Sequence, residues 1–419
     1  MPSAQQLRFI AFVTLLGLIC MVFFDVYLHH LGIKTTFLPQ NIFMPGAHGF
    51  FLDFFDIYGY ANPYIGHFAV YPPATYLIIY PFLKIWPAEL SFIIYTIFIY
   101  SYIFWYLIFC TKSFHNKFVG LERYTIILIL MFLTSPMIIC LIHGNFESLL
   151  FLFLSLFFFA FAKEKYALSS IFLGIAIAFK LYPAVFLVLF IKNKCYKECI
   201  YCVIFVVILT IAALFTFPEG LIKSTNMWLN AFVEINKIMA FSHDFYHTNT
   251  LFFLVQIAVY LYSIIRGHST EAQYTSHLNH SVIYYYILAI LMFTFLAFFT
   301  LKYEKTYWKQ VTVLFFCGML FPTISVEYKL IILFIPIFLF IKQSVIDKHQ
   351  SIIFNKIYLL LFSLLLIPKN YLIFNFYLDE KIPIISGISP LFNIFIMLFF
   401  IFLIIYERIK IIQIEKTSH

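Results

Sequence analysis

Apolar residues run along this chain in long stretches separated by short polar breaks. Ile10 to Phe24, Leu90 to Phe109 and Phe392 to Ile405 each reach or approach the roughly 20 residues that a helix needs to cross a bilayer. Repeated along the chain, the pattern predicts an all-α polytopic membrane protein with roughly 10–13 transmembrane or re-entrant helices. Arg8 precedes the first apolar run and no small-residue cleavage site follows it, so that run is read as a retained first span.

The polar breaks carry a topology. Positive residues cluster in Lys112 to Arg123, Lys163 to Lys165, Lys192 to Lys197, Lys302 to Lys309, Lys342 to Lys348 and Glu407 to Lys416, and the positive-inside rule assigns all six to the cytoplasm. His29 to Tyr71, His143 to Glu147, Pro218 to about His280, Pro322 to Tyr328 and Pro368 to Pro390 are left for the opposite face. Two segments resist simple counting: Tyr71 to Pro87 is marginal in length, and Leu251 to Ile265 is too short to cross unaided. Tyr166 to Phe190 lies between two basic clusters and cannot cross twice at 1.5 Å per residue. With both clusters cytoplasmic, it is a hairpin that reaches about mid-depth and breaks at Lys180 to Pro183. With a single crossing, the sidedness of Lys192 to Phe217 and of the following loop inverts.

Composition closes off the soluble classes. Of the 419 residues 63% are hydrophobic and 11% charged, with mean hydropathy +0.95, against roughly 25% charged in a soluble domain. The net charge of +8 sits in the short inter-span clusters rather than in a stripe that tracks phosphates, which argues against nucleic acid. The seven cysteines lie in or beside apolar runs. Cys199 and Cys202 formally spell CxxC but lack a second pair, so they read as packing residues and no metal site is expected.

Against this background a few polar residues stand out. Asp53 and Asp56, in FLDFFDIYGYANPY, are two of only 19 acids and are flanked by Phe, which favours a raised carboxyl pKa and acid/base work; solvated loop residues are the plain alternative. His143, Asn145 and Glu147 form a polar knot suited to hydroxyl groups, although an ordinary helix-ending turn explains Gly144-Asn145 equally well. Lys180 sits in an apolar run where a charge is costly, so it is either functional or snorkelling to an interface. His243 and His247, in SHDFYHTN, add two histidines to the outer loop without matching the HExxH metal-helix motif. Glu327-Tyr328-Lys329 sets a charge pair in a turn before another apolar run.

The ordered set DFF (53–55), NPY (62–64), YPP (71–73), GN (144–145), FKLYP (179–183) and EYKL (327–330) resembles the bacterial polyprenyl-phosphate-mannose-dependent mannosyltransferase family, over about residues 10 to 340. The resemblance implies a GT-C-like helical bundle with a long first extracytoplasmic loop, 29–71, in the bacterial plasma (inner) membrane. Without an internal repeat, low-complexity tract or long linker, the chain reads as a single membrane domain over 1–419, with a catalytic N-terminal module over about 8–217 and a C-terminal bundle over about 218–419. The implied activity is inverting transfer of a hexose, mannose by default, from a polyprenyl-phosphate sugar to a lipid or glycan acceptor at the extracytoplasmic face. The base carries over onto Asp53, with Asp56 and Asp25 as alternatives. The chain departs from its relatives at His143, where they often have Arg, and at Glu327, where Asp is commoner.

The chemistry also fits the residues themselves. A polyprenyl phosphate leaves without a general acid, so one base suffices. Lys180 and Lys329 are placed to neutralise the departing phosphate, and His143, Asn145, Glu147, His247, Glu327 and Tyr328 to contact sugar or acceptor. No cofactor is required, an accessory divalent cation stays open, and membrane lipids are the remaining partner. The rival functions are a transporter or flippase, whose usual internal repeat and paired broken helices are not found here, and a surface-polysaccharide polymerase or ligase.

Overall fold

In the computed structural model the described residues are 3–30, 54–55, 64, 71–83, 85–112, 117–241, 249–266, 271–346, 352–369, 373–377 and 383–417. Among them five helices are long and apolar enough to cross a membrane: Ser3–Phe24, Ala88–Thr111, Tyr196–Phe215, Ser276–Lys302 and Pro390–Glu415. A sixth crossing is available to Glu122–Phe132 and Ser135–His143, a pair bent by 54°. Shorter apolar helices, among them Glu147–Ala162, Tyr166–Phe179 and Ile352–Leu366, fill the spaces between. The protein is therefore an all-α polytopic membrane protein, with one small antiparallel hairpin among the described residues, Ile373–Tyr377 (β1) with Pro383–Gly387 (β2). The hairpin falls in the segment expected to be an outer loop; its aromatic Phe374, Phe376 and Tyr377 and its β-branched Ile373, Ile384 and Ile385 suit paired strands.

The chain forms two compact units, each discontinuous in sequence. The first comprises residues 1–184, 194–235 and 328–371. Its helices are α1 (Ser3–His30), α2 (Pro73–Leu83), α3 (Ala88–Thr111), α4 (Glu122–Phe132), α5 (Ser135–His143), α6 (Glu147–Ala162), α7 (Tyr166–Phe179), α9 (Tyr196–Phe215), most of α10 (Gly220–Phe241), α14 (Phe334–Ile346) and α15 (Ile352–Leu366). The second comprises 185–193, 236–327 and 372–419, with α8 (Leu187–Lys192), α11 (Leu251–Ile265), α12 (Glu271–Lys302), α13 (Tyr307–Leu320), the hairpin and α16 (Ile388–Thr417).

In the first unit α7 packs between α6 and α9. Small residues make the approach close: Ala74 of α2, Ala178 of α7 and Ala213 of α9 form one buried cluster, and a Cβ on Gly174 would come within 2.8 Å of the Phe205 ring. Gly174 meets Cys202 and Phe205 early in α9, and Ala178 meets Ala213 late in it, so α7 and α9 run parallel. Both helices begin at basic clusters, so the chain must return between them, and it breaks at Lys180, whose backbone is extended. That is the hairpin arrangement, with its break level with the far end of α9 rather than at the expected mid-depth, and it sets the two basic clusters at one end. Arg8 of α1 clasps Glu122 of α4 with a bidentate pair at 2.5 and 2.7 Å.

The second unit is tied by charges at the basic end of its helices. Lys192 donates to the carbonyls of Thr300, within the last turn of α12, and Glu304, just beyond it, a favourable place for a cation. Lys309 of α13 and Glu407 of α16 form a buried ion pair at 2.7 Å, and Arg408 donates to the Tyr303 carbonyl at 2.7 Å.

Candidate active site

Three chain breaks converge through side chains of the first unit, Glu147, Lys180, Tyr182, Tyr328 and Lys329. The first is the α5–α6 junction. Gly144 adopts the left-handed conformation (φ 58°), and Asn145 N–H reaches back to the Cys140 carbonyl at 3.0 Å, closing α5 in the helix-ending turn legible in Gly-Asn. Asn145 Oδ1 then accepts from Glu147 N–H at 2.8 Å, and α6 begins with a wholly buried Glu147.

The second break follows α7. The Phe179 carbonyl, left over at the helix end, accepts from Thr75 Oγ1 at 2.6 Å, which locks the YPP segment beside Lys180. Pro183 stops α7 from continuing, and Tyr182–Phe186 forms a 3₁₀ turn. The third break, Glu327–Leu333, is also 3₁₀ and carries Tyr328 and Lys329.

Around these breaks lies a cage of cations and rings. Lys180 Nζ donates to Glu147 Oε2 at 2.5 Å, and the Tyr182 hydroxyl donates to Glu147 Oε1, so both carboxylate oxygens are engaged. The Lys180 ammonium stands 5.1 Å from the Tyr71 ring centre and 5.3 Å from that of Tyr328. Lys329 Nζ stands 4.8 Å from the Tyr182 ring, and the His143 ring lies 6.4 Å from Tyr328. Cation–ring contacts of this kind contribute about 0.5–2 kcal/mol each, more where water is excluded. An ammonium has three N–H donors, and Glu147 takes one from Lys180. The arrangement can hold an anion between two cations, against flat aromatic faces that suit a sugar ring.

Of the residues singled out from sequence, His143, Asn145, Glu147, Lys180, Tyr328 and Lys329 come together here. Glu327 is buried and belongs to the second unit. Asp53, Asp56 and His247 lie outside the described residues, as does the Asp25 side chain on α1. Phe54, next in sequence to Asp53, is described: it is fully buried and packs at 5.7 Å on Phe146, between Asn145 and Glu147. Sequence reasoning missed Tyr71 and Tyr182. Both stand in the motif strings YPP and FKLYP, but two tyrosines among 30 carry no signal until the fold brings cations over them.

Among the described residues no three His, Cys, Asp or Glu side chains gather as a metal group. None of the seven cysteines is in a disulfide, and burial together with Glu198 pushes the Cys195 thiol above its ordinary range.

Fold and cage together define a polytopic membrane protein with a buried cationic-aromatic site. Residues 68–325 match glycosyltransferase family 87; the chain belongs to that family and is a membrane glycosyltransferase. No curated protein and no solved structure matches it.

Proposed function

We propose that the cage binds the phosphate of a polyprenyl-phosphate hexose, and that the protein transfers the hexose with inversion to a lipid or glycan acceptor at the extracytoplasmic face. The observation that carries this reading is the meeting of Lys180 and Lys329 around Tyr182 and Glu147, in a chain of a glycosyltransferase family. A lipid-linked donor carries its phosphate on a membrane-embedded chain, and a charged side chain set in an apolar segment, as Lys180 is, is costly and is kept for function.

In the reaction the acceptor oxygen attacks the anomeric carbon, the bond from that carbon to the phosphate oxygen breaks, and the electron pair leaves on the phosphate. The acceptor proton passes to a carboxylate base, assigned to Asp53. Phe54, the next residue, is anchored on Phe146 beside the cage, which supports that choice over Asp56 and Asp25. Lys180 and Lys329 stabilise the charge that develops on the phosphate. Glu147, with both oxygens engaged, acts as a positioning residue for Lys180 and Tyr182 rather than as a sugar contact. Mannose is the default hexose and GT-C the fold type, both carried by the motif resemblance.

The test is to incubate membranes containing the protein with a panel of radiolabelled polyprenyl-phosphate hexoses and to follow label into lipid and glycan fractions. Consumption of one donor with transfer of its label is expected. Label that crosses the membrane still attached to its carrier would make the protein a flippase, and use of a nucleotide sugar instead would remove the phosphate-lipid assignment.

A further inference from the structure

We infer that α10 lies in the plane of the membrane, seated at the boundary of headgroups and acyl chains by an apolar stripe of Ile222, Leu229 and Val233. With 22 residues α10 is long enough to cross, about 33 Å at 1.5 Å per residue, yet it is absent from the helices apolar enough to do so. Its residues divide into three sectors. Leu221, Met227, Trp228 and Ala231 face inward and pack on Tyr64, Leu214 and Phe217. Lys223, Asn226, Asn230 and Glu234 form an exposed polar sector.

The third sector is apolar and uncovered: Ile222, Leu229 and Val233 are 79%, 48% and 50% exposed, with Phe232 at its border at 40%. Spaced i, i+7 and i+11, the first three share a stripe roughly 40° wide. One exposed apolar stripe beside one exposed polar stripe is the pattern of a helix lying in a membrane interface.

The occupant of that stripe is set by where the helix begins. Only residues 216–219 separate α10 from the spanning helix α9, whose Ile204, Ile208, Ile211 and Phe215 are exposed as a lipid-facing surface is. Gly220, at φ 75° with open space around its Cβ position, makes the turn from one helix into the other. The first turn of α10 therefore starts at the edge of the bilayer, and lipid is the apolar phase within reach.

Docking of α10 has a consequence for the cage, and this consequence rests on the phosphate reading above. Tyr64, held under α10, donates its hydroxyl to the Tyr71 carbonyl at 2.9 Å, and burial raises its pKa so that it stays a donor. Tyr71 in turn lies under the Lys180 ammonium. An interfacial α10 thus fixes the cage at the depth where a lipid phosphate sits.

Two footprints on the full-length protein in phosphatidylethanolamine–phosphatidylglycerol vesicles test the docking, read residue by residue by mass spectrometry and without any substitution. A bilayer-soluble carbene probe should label Ile222, Leu229 and Val233 severalfold more than Asn226 and Asn230, and hydroxyl radicals from water should give the reverse order. Radical labelling of the stripe equal to that of the polar sector would overturn the inference, as would protection of the stripe from both probes, which would mean a protein covers it. Donor turnover is not read in either footprint, so the docking and the proposed reaction fail separately.

Discussion

Lys180 meets Glu147 at 2.5 Å across 33 residues of sequence, and the carboxylate it meets is wholly shielded from solvent. Such a pair is a poor way to gain stability: desolvating both charges costs several kcal/mol per ion, and apolar replacements of like volume are often as stable. Removing one partner alone, however, strands the other charge. The two effects separate a structural pair from a functional one.

Lys180→Met should therefore lose donor turnover by about 10² to 10³ in kcat, the size expected for one charge-stabilising group, and should also lower the unfolding temperature in detergent. The double variant Lys180→Met, Glu147→Gln should regain most of the thermal stability without regaining activity. Recovery of transfer in the double variant would reduce Lys180 to a structural partner of Glu147.

Glu147→Gln alone tests positioning against sugar contact. A positioning residue acts through Lys180 and Tyr182, so its loss should raise KM for the donor and lower kcat while leaving the preference among hexoses unchanged. A changed preference, measured by competition between two labelled donors, would return Glu147 to direct contact with the sugar.

Much of this arrangement was legible in the sequence, and the rest shows where residue order stops informing. Runs such as Leu90 to Phe109 gave the spanning helices because a bilayer imposes a length, and the break at Lys180 to Pro183 was legible because Pro183 cannot continue a helix. Lys180 stood out because charge in an apolar run is costly. The pairing did not: Glu147 stood out with His143 and Asn145 as a polar knot suited to hydroxyl groups, and becomes an anchor for Lys180 only when the parallel packing of α7 and α9 and the contact of α6 with α7 bring the breaks together. Tyr182 was hidden by abundance, and the β1–β2 hairpin by its place in a segment with no helical or spanning signal.

Gly174 should be intolerant of any side chain. A Cβ there would stand 2.8 Å from the Phe205 ring and 3.3 Å from the Cys202 carbonyl, and the carbonyl belongs to the helix itself and cannot turn aside. Gly174→Ala should destabilise by about 1–3 kcal/mol, and Phe205→Leu in the same chain should recover part of the loss. Equal unfolding temperatures for wild type and Gly174→Ala would show that α7 and α9 are not packed this closely.

The Lys309–Glu407 pair, buried at 2.7 Å in the second unit, has no part in the proposed reaction. Lys309→Met should cost about 3–5 kcal/mol by stranding Glu407, whereas Lys309→Met with Glu407→Leu should lie near wild type. Thermal unfolding in detergent reads both. Retained hexose transfer in the folded double variant is expected, and its loss would bring this end of the helices into the reaction.

The base is the assignment on which the reaction depends most directly. A carboxylate that takes the acceptor proton is needed at the transition state, while binding of the donor needs its charge much less, so Asp53→Asn should lower kcat far more than it raises KM. The loss expected for a general base is about 10² to 10⁴ in rate. Phe54 is buried against Phe146 and is untouched by the change, so the segment keeps its anchor and the variant reports chemistry rather than misfolding. Asp56→Asn and Asp25→Asn are the matched controls, since each makes the same substitution at an alternative base. Near-normal transfer by Asp53→Asn together with loss in one control would move the base to that residue and leave the transferase reaction intact. Activity retained in all three would mean that the proton goes elsewhere, and the single-base mechanism would have to be abandoned.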